Sequence, residues 1–222
     1  MNGTVQRVRN TSRSNRVSVT AEDGASFEVA GGRLVTMPDG SLEIEATSAV
    51  VVRCPTGCDV SVASASGSVE LVGAYGSVRV SSTSGRVVVG DASDVEVRAQ
   101  SGRVVIGHCA GLCAVVGGSG KVEIAEAGRA EVSVVSGSVE VGQAGSADIR
   151  AMSGHVDVGV VAGATVRVQT TSGSVDVQVP AGAAPAATLL SRSGSVRCGC
   201  SIGANGAIDV QTRSGSITVS QG

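Results

Sequence analysis

The chain is nearly devoid of aromatic residues, with one Tyr, one Phe and no Trp among 222 residues. A conventional globular core of this size uses aromatics to fill volume. Their scarcity predicts a core of narrow aliphatic layers instead. There is no aromatic platform on which bases could stack. Charged residues make up 16% and the net charge is −2, so no basic excess can neutralise phosphates. Together these absences exclude nucleic acid as a partner. No run of about 18 apolar residues occurs, which excludes a helical membrane span. The first 20 residues are polar and arginine-bearing, without the apolar stretch of a secretion signal. The expected location is therefore the cytoplasm.

What the chain does have is glycine, 32 in all, and much of it is periodic. Ser-Gly pairs place glycines at 67, 85, 102, 120, 137, 154, 173, 194 and 215. Successive spacings are 18, 17, 18, 17, 17, 19, 21 and 21 residues. A period of this size marks a stacked architecture in which each repeat touches mainly its neighbours.

Two residues after each glycine stand Val69, Val87, Val104, Val122, Val139, Val156, Val175, Val196 and Ile217, all β-branched. Four residues after it stand Leu71, Val89, Ile106, Ile124, Val141, Val158, Val177, Cys198 and Val219. Period two with β-branched residues predicts a strand with these positions inward. A second strand precedes each glycine, through pairs such as Val60 and Val62 or Val95 and Val97. Such coils bury their inner faces only when stacked, about 4.8 Å apart, in parallel ladders. The predicted fold is all-β: a parallel β-solenoid, or β-helix, with right-handed crossovers as the default. About nine coils of 17–21 residues would give a rod on the order of 40 Å long. The serines form a predicted hydroxyl ladder at one corner. The glycines permit a close turn or positive φ there.

Residues 1–55 depart from the period. Short alternating segments appear at Val17–Val19, Phe27–Val29, Leu42–Ile44 and Val50–Val52, separated by turn signals. They predict an irregular β cap, followed by one continuous solenoid domain over 56–222. The stretch Val179–Ala187 carries Pro180 and Pro185 and is expected to bulge as a loop. The last coil ends within three residues of Val219. It is expected to leave an open edge at Ser216, Ile217, Thr218 and Val219, and open edges pair with other chains.

The transition Cys54-Pro55-Thr56-Gly57-Cys58-Asp59-Val60-Ser61-Val62, followed by repeated Ser-Gly-x-Val-x-Val, resembles a bacterial adhesin-like β-solenoid family of unknown function. The likeness covers roughly residues 16–220. It implies the solenoid fold and offers no catalytic residue to carry over.

Candidate chemistry is sparse. Six cysteines form three sequence pairs, Cys54/Cys58, Cys109/Cys113 and Cys198/Cys200. Cys109, Cys113 and Cys198 fall on inward positions, where Cys acts as a small hydrophobe. The lack of a secretion signal argues for free thiols; Cys54 and Cys58, which flank a Pro-Thr-Gly turn, are the pair that could bridge or oxidise. His108, Cys109 and Cys113 are a weak candidate for metal ligation, lacking a fourth ligand. Glu123, Glu140, Asp157 and Asp176 form an outward acidic row three residues after consecutive glycines, and Arg86, Arg103 and Lys121 a basic one. The acidic row is read as a solvated face, with a divalent cation or a basic partner as the sharper alternative. No catalytic residue and no cofactor is expected.

The leading reading is a non-enzymatic structural or interaction protein, self-associating through its C-terminal coil or holding an unidentified protein partner. An envelope- or stress-associated sensor module is the alternative. A polysaccharide-active β-helix enzyme ranks lower: four equivalent exposed carboxylates provide neither differing environments nor a cleft.

Overall fold

A computed structural model describes residues 8–12, 16–31, 33–36, 42–45 and 49–221. Among the described residues there are strands and turns and no helix. Strand pairing is parallel except at two short strands near the N-terminus. The fold is an all-β, solenoid-like stack. It forms two compact units, Met1–Cys109 and Ala110–Gly222.

In both units the alternation of β-branched residues fixes the inner face. Val69, Leu71, Val87 and Val89 are all buried in the first unit, as are Val139, Val141, Val156 and Val158 in the second. The residues between them face outward and carry the charge. At the corners the backbone turns on glycine. Gly137 has a φ of 129°, and a Cβ there would run into the carbonyl oxygen of Gly120. Neither the backbone region nor the space admits a side chain. Beside it, Ser119 and Ser136 hydroxyls lie 3.1 Å apart, a rung of the expected ladder.

In the first unit, coil order departs from chain order. Strands β1 (Val8–Ser12) and β2 (Val17–Glu22) come first in sequence. Val17 lies opposite Val50 on one side and Val69 on the other. Val8 lies likewise between Leu42 and Val60. The first coil is thus sandwiched inside the stack. Outside it lie β5 (Leu42–Glu45) and β6 (Val50–Pro55). Two short antiparallel strands cover these in turn: β3 (Glu28–Ala30) pairs with β6, and β4 (Arg33–Thr36) with β5. The alternating segments read from residues 1–55 coincide with β2, β3, β5 and β6.

The next element, β7 (Val60–Val179), is one extended run of 120 residues, bent at its corners without losing strand pairing. After it, in the second unit, come β8 (Ala186–Ser193), β9 (Val196–Cys198), β10 (Ala207–Ser214) and β11 (Ile217–Gln221). Here too the coils exchange places. β10 pairs with Thr165–Ser172 on one side and β8 on the other. β11 pairs with Val175–Val179 on one side and β9 on the other. The last coil in sequence is therefore interior, and the coil before it is outermost.

Two lengthened corners make the exchange possible. Residues 180–185 and 199–206 leave the ladder, the first at the predicted proline-bearing stretch. Neither Pro180 nor Pro185 can donate a ladder hydrogen bond. The two corners bond to each other, Asn205 N–H to Ala184 O at 2.9 Å and Gly203 N–H to Pro185 O at 3.2 Å. The glycine spacings of 21 residues supply this extra chain, whereas spacings of 17 or 18 suffice only for the adjacent coil.

Candidate functional site

The coil exchange relocates the sheet edge. Ser216–Val219 is not the edge expected from sequence: Ile217 and Val219 are 0% and 1% exposed and paired on both sides. The edge is the coil of β8 and β9. Among the described residues β8 pairs only with β10, and β9 only with β11. Their inward register is consequently left uncovered. Val196 is 44% exposed; on the outer face of the same edge Leu190 is 56% exposed, and Ile202 on the adjoining corner is 72% exposed. Cys198, read as buried, is exposed for the same reason.

Beside this edge runs an open groove of about 530 Å³, with Gln169, Gln211, Leu190, Arg192 and Arg213 among its lining residues. Register places Thr212 opposite Ser191, so Arg213 and Arg192 stand on neighbouring strands at matching positions. Neither makes an ion pair among the described residues. The Thr170 hydroxyl, also on the groove, is buried without a hydrogen-bond partner. A smaller groove of about 190 Å³ in the first unit includes Arg79, Glu96 and Arg98. There Glu96 is held between the two guanidinium groups at 3.2 and 2.8 Å, so its charge is already matched.

The acidic row is distributed, not convergent. Lys121 Nζ bridges Glu123 and Glu140, at 2.5 and 2.9 Å. His155 Nδ1 lies 2.8 Å from Ser174 Oγ and 3.7 Å from Asp176 Oδ2. One ring nitrogen serves both groups. A nucleophile relay needs the hydroxyl and the carboxylate on opposite nitrogens, so this trio is not arranged as one. Burial pushes the Asp157 carboxyl upward; Asp176 and Glu140 add to the shift and His155 opposes it. Among the described residues, no three His, Cys, Asp or Glu side chains group to hold a metal ion. His108 is exposed and its neighbour Cys109 fully buried, as alternation along a strand requires, so the two cannot share an ion.

The cysteines divide by environment. Cys54 and Cys58 are buried, with sulfurs 2.9 Å apart. Their mutual hydrogen bond and burial push the Cys54 thiol far above the ordinary range, while the same bond lowers Cys58. Cys109 is buried, its sulfur 3.6 Å from the Ser93 carbonyl. Cys198 and Cys200 are accessible, with sulfurs 3.2 Å apart.

One structural residue had no signature in the repeat. Tyr75, the only tyrosine, is 3% exposed, and its hydroxyl bonds the Val19 carbonyl at 2.8 Å. Its signal was its singularity: a lone aromatic among small residues fills one particular gap.

Comparison with known proteins adds a family. The family model described as Toastrack DUF4097 matches residues 2–221. No curated protein matches the chain. Among solved structures, a "putative cell adhesion protein" from Clostridium sporogenes ATCC 15579 is similar over 99% of this chain and 94% of its own, at 10% identity and a TM-score of 0.24. A TM-score this low supports no inference on role. No helix among the described residues is long and apolar enough to cross a membrane.

Proposed function

We propose, given that the chain belongs to the Toastrack DUF4097 family, that it is a non-enzymatic interaction module whose contact surface is the edge of β8 and β9. The carrying observation is that Val196–Cys198 has a strand on one side only, which leaves its apolar register uncovered. An edge of this kind is a template for strand addition. The occupant that fits it is a second copy of the chain, joined edge to edge. At the other end of the sequence, β3 and β4 already occupy the corresponding positions on β6 and β5. Association through one edge alone is isologous and closes at a dimer instead of growing into a fibre.

Arg192 and Arg197 lie on this edge, so such a pair brings like charges towards one another. Their repulsion opposes association at low ionic strength and is screened by salt. Light scattering over a concentration series at two salt levels tests the reading. Mass should rise with concentration, and more steeply at high salt. A strictly monomeric chain under both conditions would sink it.

A second reading rests on the groove. Two matched arginines without carboxylate partners favour an acidic ligand, which suits a sensor or binding module. Its salt dependence runs the other way: binding weakens as salt rises.

A further inference from the structure

Cys198, Gly199 and Cys200 lie where the edge strand β9 passes into the 199–206 corner. Cys198 is exposed and Cys200 partly so, and their sulfurs stand 3.2 Å apart. A disulfide bond is about 2.05 Å, so a small displacement joins them. Gly199 between them carries no side chain to obstruct that movement. Its N–H donates to the Val219 carbonyl at 2.8 Å, which anchors the segment to the interior coil while both thiols stay outside. The other four cysteines are buried, Cys58 the least completely at 9% exposed.

We propose that Cys198 and Cys200 form a surface redox site that undergoes thiol–disulfide exchange with low-molecular-weight disulfides. Cys198, the more exposed, attacks as its thiolate and forms a mixed disulfide, expelling one thiolate from the small molecule. Cys200 then attacks the Cys198 sulfur, closes the internal disulfide and expels the second thiolate. Two protein thiols and one small disulfide become one protein disulfide and two small thiols, with two protons and two electrons accounted for. Burial and the hydrogen bond with Cys198 push the Cys200 thiol upward, which assigns it the resolving role. The two sulfurs are separated by one residue, so resolution is intramolecular and fast compared with a second encounter.

The inference does not rest on self-association; a second copy seated on β9 would cover Cys198, so the test is run on dilute chain. The test uses the full, reduced chain and oxidised glutathione as the probe, followed by acid quenching, alkylation and mass spectrometry. Trypsin cuts after Arg197 and next after Arg213, so both cysteines fall in one peptide. In the parent chain that peptide should lose two hydrogens and carry no glutathione. Cys200→Ser should instead trap one glutathione on Cys198, with the other cysteines still alkylated. Cys198→Ser should react much more slowly than either. Unresolved glutathione on Cys198 of the parent chain would overturn the proposal, as would two thiols that stay unreacted. Circular dichroism identical to the parent's confirms that each variant is folded.

Discussion

Ile217 lies directly opposite Val196, a residue that precedes it by a full coil of chain yet sits outside it in the stack. One is fully buried and the other 44% exposed, although both occupy the same place in the repeat. This pairing determines where the second unit is open to other molecules.

The pair predicts opposite mutational outcomes. Ile217→Asp buries an uncompensated charge between two strands and should destabilise by several kcal/mol. Val196→Lys places its charge in solvent and should change stability by no more than about 0.5 kcal/mol. Urea denaturation of both variants measures the difference. Equal costs would mean that the two coils are equivalent.

Most of the fold was legible in the sequence, because an inward residue must be apolar wherever its coil lies. Val139, Val156 and Val175 were read as inward and are buried. The failures fall on one coil: Val196 and Cys198 have the inward pattern and no neighbour to bury it. Pattern fixes the face of a strand but not its place in the stack. Place was set by corner length, and the 21-residue spacings around Gly194 carried that information. The metal candidates failed for a local reason, since adjacent strand residues such as His108 and Cys109 point to opposite faces.

A glycine corner should resist the smallest substitution. Gly137→Ala forces a side chain into positive φ and against the Gly120 carbonyl. Its cost should be on the order of 1–3 kcal/mol, against a few tenths for the neighbouring Ser136→Ala. Thermal unfolding of the two variants decides this. Similar midpoints would show that the corner relaxes.

Tyr75 provides a pH prediction for the first unit. Burial, reinforced by Cys54 and Cys58, pushes its hydroxyl above the ordinary tyrosine range. The folded state therefore holds the proton after the unfolded state has released it. Stability from this group is complete below about pH 10 and falls as pH rises through the elevated value. Cys54 shifts in the same direction and adds to the decline. As the only tyrosine, with no tryptophan present, Tyr75 can be followed by phenolate absorbance alone. Ionisation in the folded chain at the ordinary tyrosine value would contradict its burial. Tyr75→Phe should cost about 0.5–1.5 kcal/mol for the lost hydrogen bond to Val19 and flatten the alkaline decline.

The edge prediction can be made by substitution. Val196→Lys together with Leu190→Lys should abolish the concentration-dependent rise in mass, since added charge blunts an edge. Exposed Val135→Lys, away from that edge, should leave it unchanged. Analytical ultracentrifugation distinguishes the two. Equal association by both variants would place the contact elsewhere.

Hydrogen exchange of the β9 and β11 amides, measured in dilute and in concentrated protein, tests the relocated edge and its use together. β11 amides should be strongly protected at both concentrations, being interior to the stack. Those of β9 that are not bonded to β11 should exchange rapidly when dilute and slow markedly when concentrated. Faster exchange in β11 than in β9, or β9 exchange indifferent to concentration, would contradict the account.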